Sequence, residues 1–408
     1  MGSGIKILHF APDEKFIPLQ QELFEEAFPG ANAWRIQATP GKPFRHGISH
    51  TSTKQVMPSY FRSRALKKES EEFDLLVVHC MNRNHAAGVK TVRPGICVCW
   101  FGWGVDYYHL LSDQLEGLFL DKTKILHQCL AKTNNFKTRI ISLNRTKIID
   151  YIKIFLPYIL SKLRLIQEDS IETVADRIDV YRILEVEVEM VRKAIPKLRA
   201  AFCLHYYYTT EDVYAKGPNE MTGPHILLGN SSSSTNNHIE ALDLLQGIVK
   251  DERKIIVPLN YGDQSYADEI CKIGYKCLGN SFQPLRIWMP IEEYHQKISQ
   301  CGFVIMNHKR QQAFGNINAA LYKGAKVFLR PENPLYKFYL SMGIQICAVE
   351  ELEKHGDQAL KPLDAATRDN NRSIIGDYMS RKRTIQHIRN LEQFVIKKRM
   401  KQGAHTTA

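Results

Sequence analysis

Short, unbroken apolar runs alternate with amphipathic stretches twice along this chain, and that pattern restricts it to a layered α/β architecture. In the amino-terminal half the runs are 5–10, 34–38, 74–80, 96–101 and 199–205, with helical periodicity over 13–27, 54–71 and 83–92 between the first four. A run such as LLVVHC, which ends at Cys80, has no polar face, so both its faces must be covered, as in a parallel sheet between helices. After a break at Lys216-Gly217-Pro218 and Gly223-Pro224 the pattern restarts. Strands are expected at 225–229, 254–259, 302–306, 326–329 and 344–348, and helices near 236–249, 265–273, 291–300, 314–323 and 334–342. Such alternation builds a doubly wound sheet. The expectation is two Rossmann-like domains, 1–215 and 222–375, and a basic helix over 376–402 that packs back on the first.

The length of 408 residues suits two or three domains. Nine cysteines form no CxxC pair; Cys80, Cys97, Cys99, Cys203, Cys301 and Cys347 fall in or beside apolar runs, where cysteine acts as a small buried hydrophobe, and no zinc site is expected. No apolar stretch reaches 18 residues, and the Met1-Gly2-Ser3-Gly4 start lacks a charged leader, so a cytoplasmic protein is expected. The net charge of +12 points to an anionic partner. Residues 122–167 carry ten Lys or Arg against Asp150, and 381–401 carry eight against Glu392.

The segment 112–196 reads as a helical insertion in the first domain. Its Tyr181-to-Pro196 part has the pattern of an amphipathic helix, and 148–167 is an apolar stretch interrupted by Lys153 and Pro157. Basic, acid-poor flanks allow that stretch to lie on an anionic membrane surface as well as on the sheet domain. In the last helix Ile385, Ile388, Leu391 and Val395 share one stripe, which suits packing on the protein with cations turned outward. Nucleic acid is not expected as a partner, because no recognition motif accompanies the charge.

Three polar loops follow consecutive strands of the second half. In Gly229-Asn230-Ser231 through Asn236 and His238, a strand gives way to a hydroxyl-rich loop and then a helix, the arrangement that binds a phosphate through backbone N–H groups. It is neither a Walker A loop nor a GxGxxG turn. In the second, Arg310, Gln312, Gly315 and Asn316 offer a guanidinium beside another helix start; in the third, Glu332 and Asn333 suit either hydroxyl recognition or helix capping. Open α/β sheets bind ligands where such loops converge. In the first half His9 and His79 end strands, and Trp103, Gly104 and Asp106 lie in an aromatic turn. These groups, expected across an interdomain cleft, include candidates for proton transfer, although a strand-end histidine also serves as a core group and Asp106 also suits a helix cap.

GNSSSSTNNHIEAL, IIVPLNY with Pro258 and Tyr261, RQQAFGN from Arg310 to Asn316, and Glu332-Asn333-Pro334 resemble the TDP-Fuc4NAc:lipid II transferase family of enterobacterial common antigen synthesis, glycosyltransferase family 56. The resemblance covers about 222–346, with an echo at His79 and at Trp103-Gly104-Val105-Asp106. It implies a GT-B fold, an inverting transfer without cofactor or essential metal, a dTDP-activated 4-amino- or 4-acetamido-4,6-dideoxy sugar, and a polyprenyl-diphosphate-linked glycan acceptor met at the inner face of the bacterial inner membrane. It further implies that Gly229, Asn230, Ser231, Asn236, His238 and Tyr261 lie near the donor, and that Arg310, Gln312, Gly315 and Asn316 stabilise the leaving diphosphate. Glu332 and Asn333 would lie near ribose or sugar, Asp106 or His79 would be the base, and His9, Trp103 and Gly104 would lie on the acceptor side. The segment 112–196 and the loop Cys80 to His85 depart from the family pattern on that side, so an O-antigen or capsule acceptor is an alternative. The residues alone also leave open a UDP- or GDP-sugar donor and a non-catalytic nucleotide- or glycan-binding protein.

Overall fold

The computed structural model describes residues 4–38, 41–46, 48–111, 116–141, 169–215, 220–249 and 252–406. The stretch 148–167, considered above for a membrane surface, lies outside them, as does the break at 216–218. The chain divides into two compact units: the first combines Met1–Ser112, Asp150–Thr209 and Ser380–Ala408, and the second Asp113–Ile149 and Thr210–Met379.

The first unit is built on β1 (Ile7–Pro12), β2 (Asn32–Gln37), β3 (Thr53–Val56), β4 (Leu75–His79), β5 (Cys97–Phe101), β6 (Val180–Arg182) and β7 (Ala201–Phe202), all parallel, in the order β3-β2-β1-β4-β5-β6-β7. Side chains alternate between two cores. Ile7, Leu75, Val77, Cys97, Cys99 and Phe101 enter one face, whereas Leu8, Phe10, Leu76, Val78, Val98 and Trp100 enter the other. That is why these strands read as unbroken apolar runs.

The second unit repeats the plan with β8 (Ile226–Leu228), β9 (Ile255–Pro258), β10 (Phe282–Leu285), β11 (Phe303–Met306), β12 (Lys326–Leu329) and β13 (Cys347–Ala348), parallel in the order β10-β9-β8-β11-β12-β13. In each sheet the chain starts in the middle, builds to one side and then crosses to the other. The strand order therefore reverses between β1 and β4 and again between β8 and β11.

The expected insertion behaves as two pieces. Helix Asp121–Ile141 packs Leu126 and Leu130, one turn apart, on the core of the second unit, and Thr123 donates to Glu240 through its amide at 2.9 Å. The later piece joins the first unit. Its Tyr181-to-Pro196 stretch is not one amphipathic helix: Val180 and Tyr181 are wholly buried in β6, and only Val188–Ala194 is α-helical. Sheet hydrogen bonds to β5 and β7 outweigh the helical periodicity there. The basic carboxy-terminal segment forms helices Arg381–Arg389 and Leu391–Thr406. The expected stripe Ile385, Ile388, Leu391 and Val395 is buried on the first unit, with Arg381 paired to Glu26 at 2.7 Å and Lys398 to Asp179 at 2.5 Å.

Candidate functional site

In the second unit the three polar loops expected from the sequence meet at the carboxyl ends of β8, β11 and β12. Asn237 in the first loop donates its amide to the Asn307 carbonyl (3.1 Å), and Asn307 returns the bond to the Asn237 carbonyl (2.9 Å). Thr235 donates to Gln312 Oε1 (2.6 Å), whose amide donates to Asn230 (2.8 Å), and Arg310 Nε reaches Thr235 at 3.5 Å. From the third loop, Asn333 donates to the carbonyls of His308 (3.0 Å) and Arg310 (2.9 Å) while its Oδ1 caps helix Pro334–Ser341 through the Leu335 amide.

These bonds sort the candidates. Asn236 and Asn333 are fully buried and spend their side chains on backbone groups, so they shape the loops. Ser231 is also buried and lies within reach of the Asn236 amide. Arg310, Gly315 and Asn316 stay partly open, while Tyr261 and Glu332 are exposed. Glu332 is held below the ordinary carboxylate range because, although partial burial opposes ionisation, Arg330 donates to it at 3.1 Å.

Two helices open into this loop cluster without side-chain caps. Helix His238–Gln246 follows Asn237 (φ 51°) and helix Phe314–Tyr322 follows Ala313 (φ 58°), both in the left-handed region. Uncapped first-turn N–H groups and the positive end of the helix dipole favour an anion. Gly229 is also left-handed (φ 68°), and a Cβ there would lie 2.7 Å from His238 Nε2. Burial lowers the pKa of His238 to about 3; its Nδ1 contacts the Tyr266 hydroxyl at 3.2 Å, and its Nε2 has no partner.

His308 is, in the sequence, one residue of a polar loop with nothing to mark it. It is fully buried, and burial, reinforced by the Arg310 charge, lowers its pKa to about 3. Asn333, oriented by its helix cap, places its amide nitrogen 2.9 Å from His308 Nδ1. His308 Nε2 is buried without a partner. No local sequence signal marks this arrangement; it depends on Asn333, 25 positions away.

The first unit corrects the two base assignments. Asp106 is buried, and both its oxygens are occupied: Met81 N–H (2.9 Å) and Trp100 Nε1–H (2.8 Å) donate to Oδ2, and Trp103 N–H (2.9 Å) to Oδ1. Burial raises its pKa while these bonds pull the other way. Asp106 thus ties the loop after β4 to the aromatic turn after β5. That turn also needs Gly104 (φ 90°), which is buried, while Trp103 is half-buried against Phe16 and Tyr207.

His79 and His9 are completely buried and part of a fixed chain. Asn32 donates its amide to the carbonyls of Phe24 and Phe28, so its Oδ1 accepts from His9 Nε2–H at 3.1 Å. His9 Nδ1 must then accept from His79 Nε2–H (3.2 Å), and His79 Nδ1 from the Tyr207 hydroxyl (3.0 Å). Burial lowers His9 to about 3 and His79 well below its ordinary value. With both nitrogens engaged and Trp34 stacked on His9 at 3.8 Å, neither ring can take a proton from a substrate or line an acceptor site.

Known structures share this architecture. HepE of Anabaena, in complex with UDP and glucose, matches with a TM-score of 0.58 at 12% identity over 95% of this chain and 99% of that one. Sucrose-phosphate synthase from Thermosynechococcus elongatus gives 0.55 at 9% over 96% and 99%. The N-terminal domain of Candida albicans trehalose-6-phosphate phosphatase gives 0.59 at 8% over 98% and 98%. At these identities the likeness is one of fold, and the fold is GT-B. The family model described as 4-alpha-L-fucosyltransferase glycosyl transferase group 56 matches residues 186–356, which include all three polar loops. Over that stretch the chain is similar to glycosyltransferase family 56, the family that its polar loops resemble.

Proposed function

We propose that this glycosyltransferase moves a 4-amino- or 4-acetamido-4,6-dideoxy sugar from dTDP, with inversion, to a hydroxyl of a polyprenyl-diphosphate-linked glycan in surface polysaccharide synthesis. The observation that carries the reading is the uncapped start of helix Phe314–Tyr322 beside Arg310, at the point where the strand order reverses. A departing nucleoside diphosphate gathers negative charge, and fixed N–H dipoles with a guanidinium stabilise that charge without reorganising. We assign this role to Arg310 and to the backbone around Gly315 and Asn316, and to no metal. The loop from Gly229 to Asn236 takes the donor from the other side, and the unpartnered Nε2 of neutral His308 offers a further polar contact to a phosphate or sugar group. The same fold in HepE holds UDP and glucose, which supports a nucleotide-sugar donor of some kind; the amino sugar and the dTDP carrier follow from the family resemblance.

A lipid-linked acceptor suits a peripheral position on the inner face of the inner membrane. No described helix is long and apolar enough to cross a membrane. On the last two helices Lys382, Arg389, Lys397 and Lys401 are exposed, as are Ile396 and Met400, a composition suited to an anionic surface.

Thermal denaturation with dTDP, UDP or GDP at equal millimolar concentration tests the donor. A ligand at a hundred times its Kd stabilises by about 2.7 kcal/mol. Selective stabilisation by dTDP is expected, and it should be lost in Arg310→Ala. Stabilisation by UDP or GDP alone would replace the donor, and no response to any nucleotide would remove the basis for the site.

A further inference from the structure

The loss of Asp106 and His79 as bases leaves the acceptor hydroxyl without a proton acceptor, and the carboxylates of the first unit can be sorted by what already occupies them. At the carboxyl ends of β5 and β6, Asp106 is bound by three N–H donors, Glu187 by the hydroxyls of Tyr107 and Tyr108, and Glu185 by the hydroxyl of Tyr206. Asp13 differs. It follows β1 directly, at the place where the strand order of this sheet reverses, between β1 and β4, which is where open α/β sheets receive ligands. Its Oδ2 accepts from the Arg45 amide at 2.8 Å, and its Oδ1 is buried with no partner. The side chain as a whole is only partly buried.

Asp13 also lacks the ordinary reason for an acid in that position. Helix Ile17–Ala27 begins four residues later, but its N-cap is Phe16 and no side chain caps it. An acid just before a helix is usually a cap; this one is held by a different loop. The loops after β1 and β4 do approach one another, since the charge of Glu14 is felt at Cys80. Cys80 is itself left-handed (φ 66°), and backbone strain of that kind collects at functional sites. A carboxylate oxygen left unpaired in a buried position costs stability, and its retention here is explained by a ligand that completes its bonding.

We infer that Asp13 is the general base of the transfer: its carboxylate takes the proton of the acceptor hydroxyl. The acceptor oxygen then forms the new bond to the anomeric carbon of the donor. The bond from that carbon to the nucleoside diphosphate breaks, with the electron pair leaving on the terminal phosphate oxygen. Asp13 ends as the neutral acid and returns its proton to water, so nucleotide sugar and alcohol become glycoside, nucleoside diphosphate and one proton. This inference rests on the glycosyl-transfer reading but not on the identity of the sugar.

The test uses the full chain and the variants Asp13→Asn, which keeps the shape and the bond from Arg45, and Glu14→Gln as the neighbouring control. A general base contributes about a hundred- to ten-thousand-fold. The expected result is a fall in kcat of that size for Asp13→Asn, an unchanged KM for the donor, unchanged stabilisation by nucleotide and no loss of folding stability. Glu14→Gln is expected to stay within about threefold of the wild type. Loss of less than about tenfold in Asp13→Asn, loss confined to stability, or the large loss appearing in Glu14→Gln instead, overturns the assignment. If the wild type transfers from UDP- or GDP-sugars and not from dTDP-sugars, the donor reading fails while Asp13 is tested with the active donor. Absence of transfer from every nucleotide sugar overturns both.

Discussion

Replacing Asp106 by Asn separates a structural girder from a catalytic base. The carboxylate takes three N–H donors, at 2.9, 2.8 and 2.9 Å, in a buried position. An amide must place its own N–H₂ against at least one of them. In the less costly orientation Nδ2 faces the Trp103 amide, leaving a buried donor unsatisfied at about 1–3 kcal/mol. The two bonds that survive, from Met81 and Trp100, change from charge-assisted to neutral and weaken by roughly 1 kcal/mol each. Burial disfavours the carboxylate, so its removal returns part of this. The expected net loss is about 2–4 kcal/mol, enough to lower the urea midpoint clearly. The assay pairs urea denaturation with transfer measured per folded molecule, and most of any activity loss should disappear after that correction. Destabilisation below about 0.5 kcal/mol together with a loss above about a hundredfold per folded molecule would refute this reasoning and restore Asp106 as the base.

Two further outcomes follow from the same kind of accounting. Gly229→Ala places a Cβ 2.7 Å from His238 Nε2 and 3.0 Å from Asn236 Oδ1 at a φ of 68°; left-handed strain of about 1–2 kcal/mol plus the displaced side chain should cost roughly 2–3 kcal/mol by chemical denaturation and weaken nucleotide-induced stabilisation, and wild-type behaviour would exclude the close approach. His9, His238 and His308 are lowered to about 3 and His85 to about 4 by burial, so between pH 6.5 and those values the unfolded chain binds protons that the native one does not. Stability is therefore fully present above pH 6.5 and falls with acidification by roughly 1 kcal/mol per pH unit and histidine, partly offset by the raised Asp106; a flat urea midpoint from pH 7 to pH 5 would contradict the burial of these rings.

What was legible in the sequence is what local pattern encodes. Strands buried on both faces read as unbroken apolar runs, so β1, β4, β5, β8, β9, β11 and β12 fall where those runs do. The three polar loops were legible for the same reason: each lies directly between a strand and a helix start. β3 and β10 were missed because edge strands TKQV and FQPL carry polar residues or proline where a central strand would carry Val or Ile. The sequence leaves the roles of His9 and His79 open, because a strand-end histidine looks alike whether it faces a substrate or a core. What decides is Asn32, Trp34 and Tyr207, the last 128 positions from His79. Asp13 stayed hidden in the opposite way: it stands where a helix cap belongs, and only the structure shows that it caps nothing.

The two sheets have the same strand order, yet their reversal points carry opposite chemistry. In the second unit the groups there are donors: uncapped helix N–H groups, Arg310, and histidines held neutral by burial. In the first unit the group there is an acceptor, the carboxylate of Asp13. Glycosyl transfer to a hydroxyl needs one of each, since a nucleoside diphosphate must leave as an anion and an alcohol must lose a proton. Neutrality of His308 matters to this division. An imidazolium in that place would become a second proton source beside the leaving group and would titrate near pH 6.5; a ring with its pKa near 3 stays neutral over the whole working range. On the roles proposed for Arg310 and Asp13, charge stabilisation and proton transfer fall to different residues, and each can be removed without the other. Arg310→Ala should abolish nucleotide-induced stabilisation as well as transfer, whereas Asp13→Asn should abolish transfer alone.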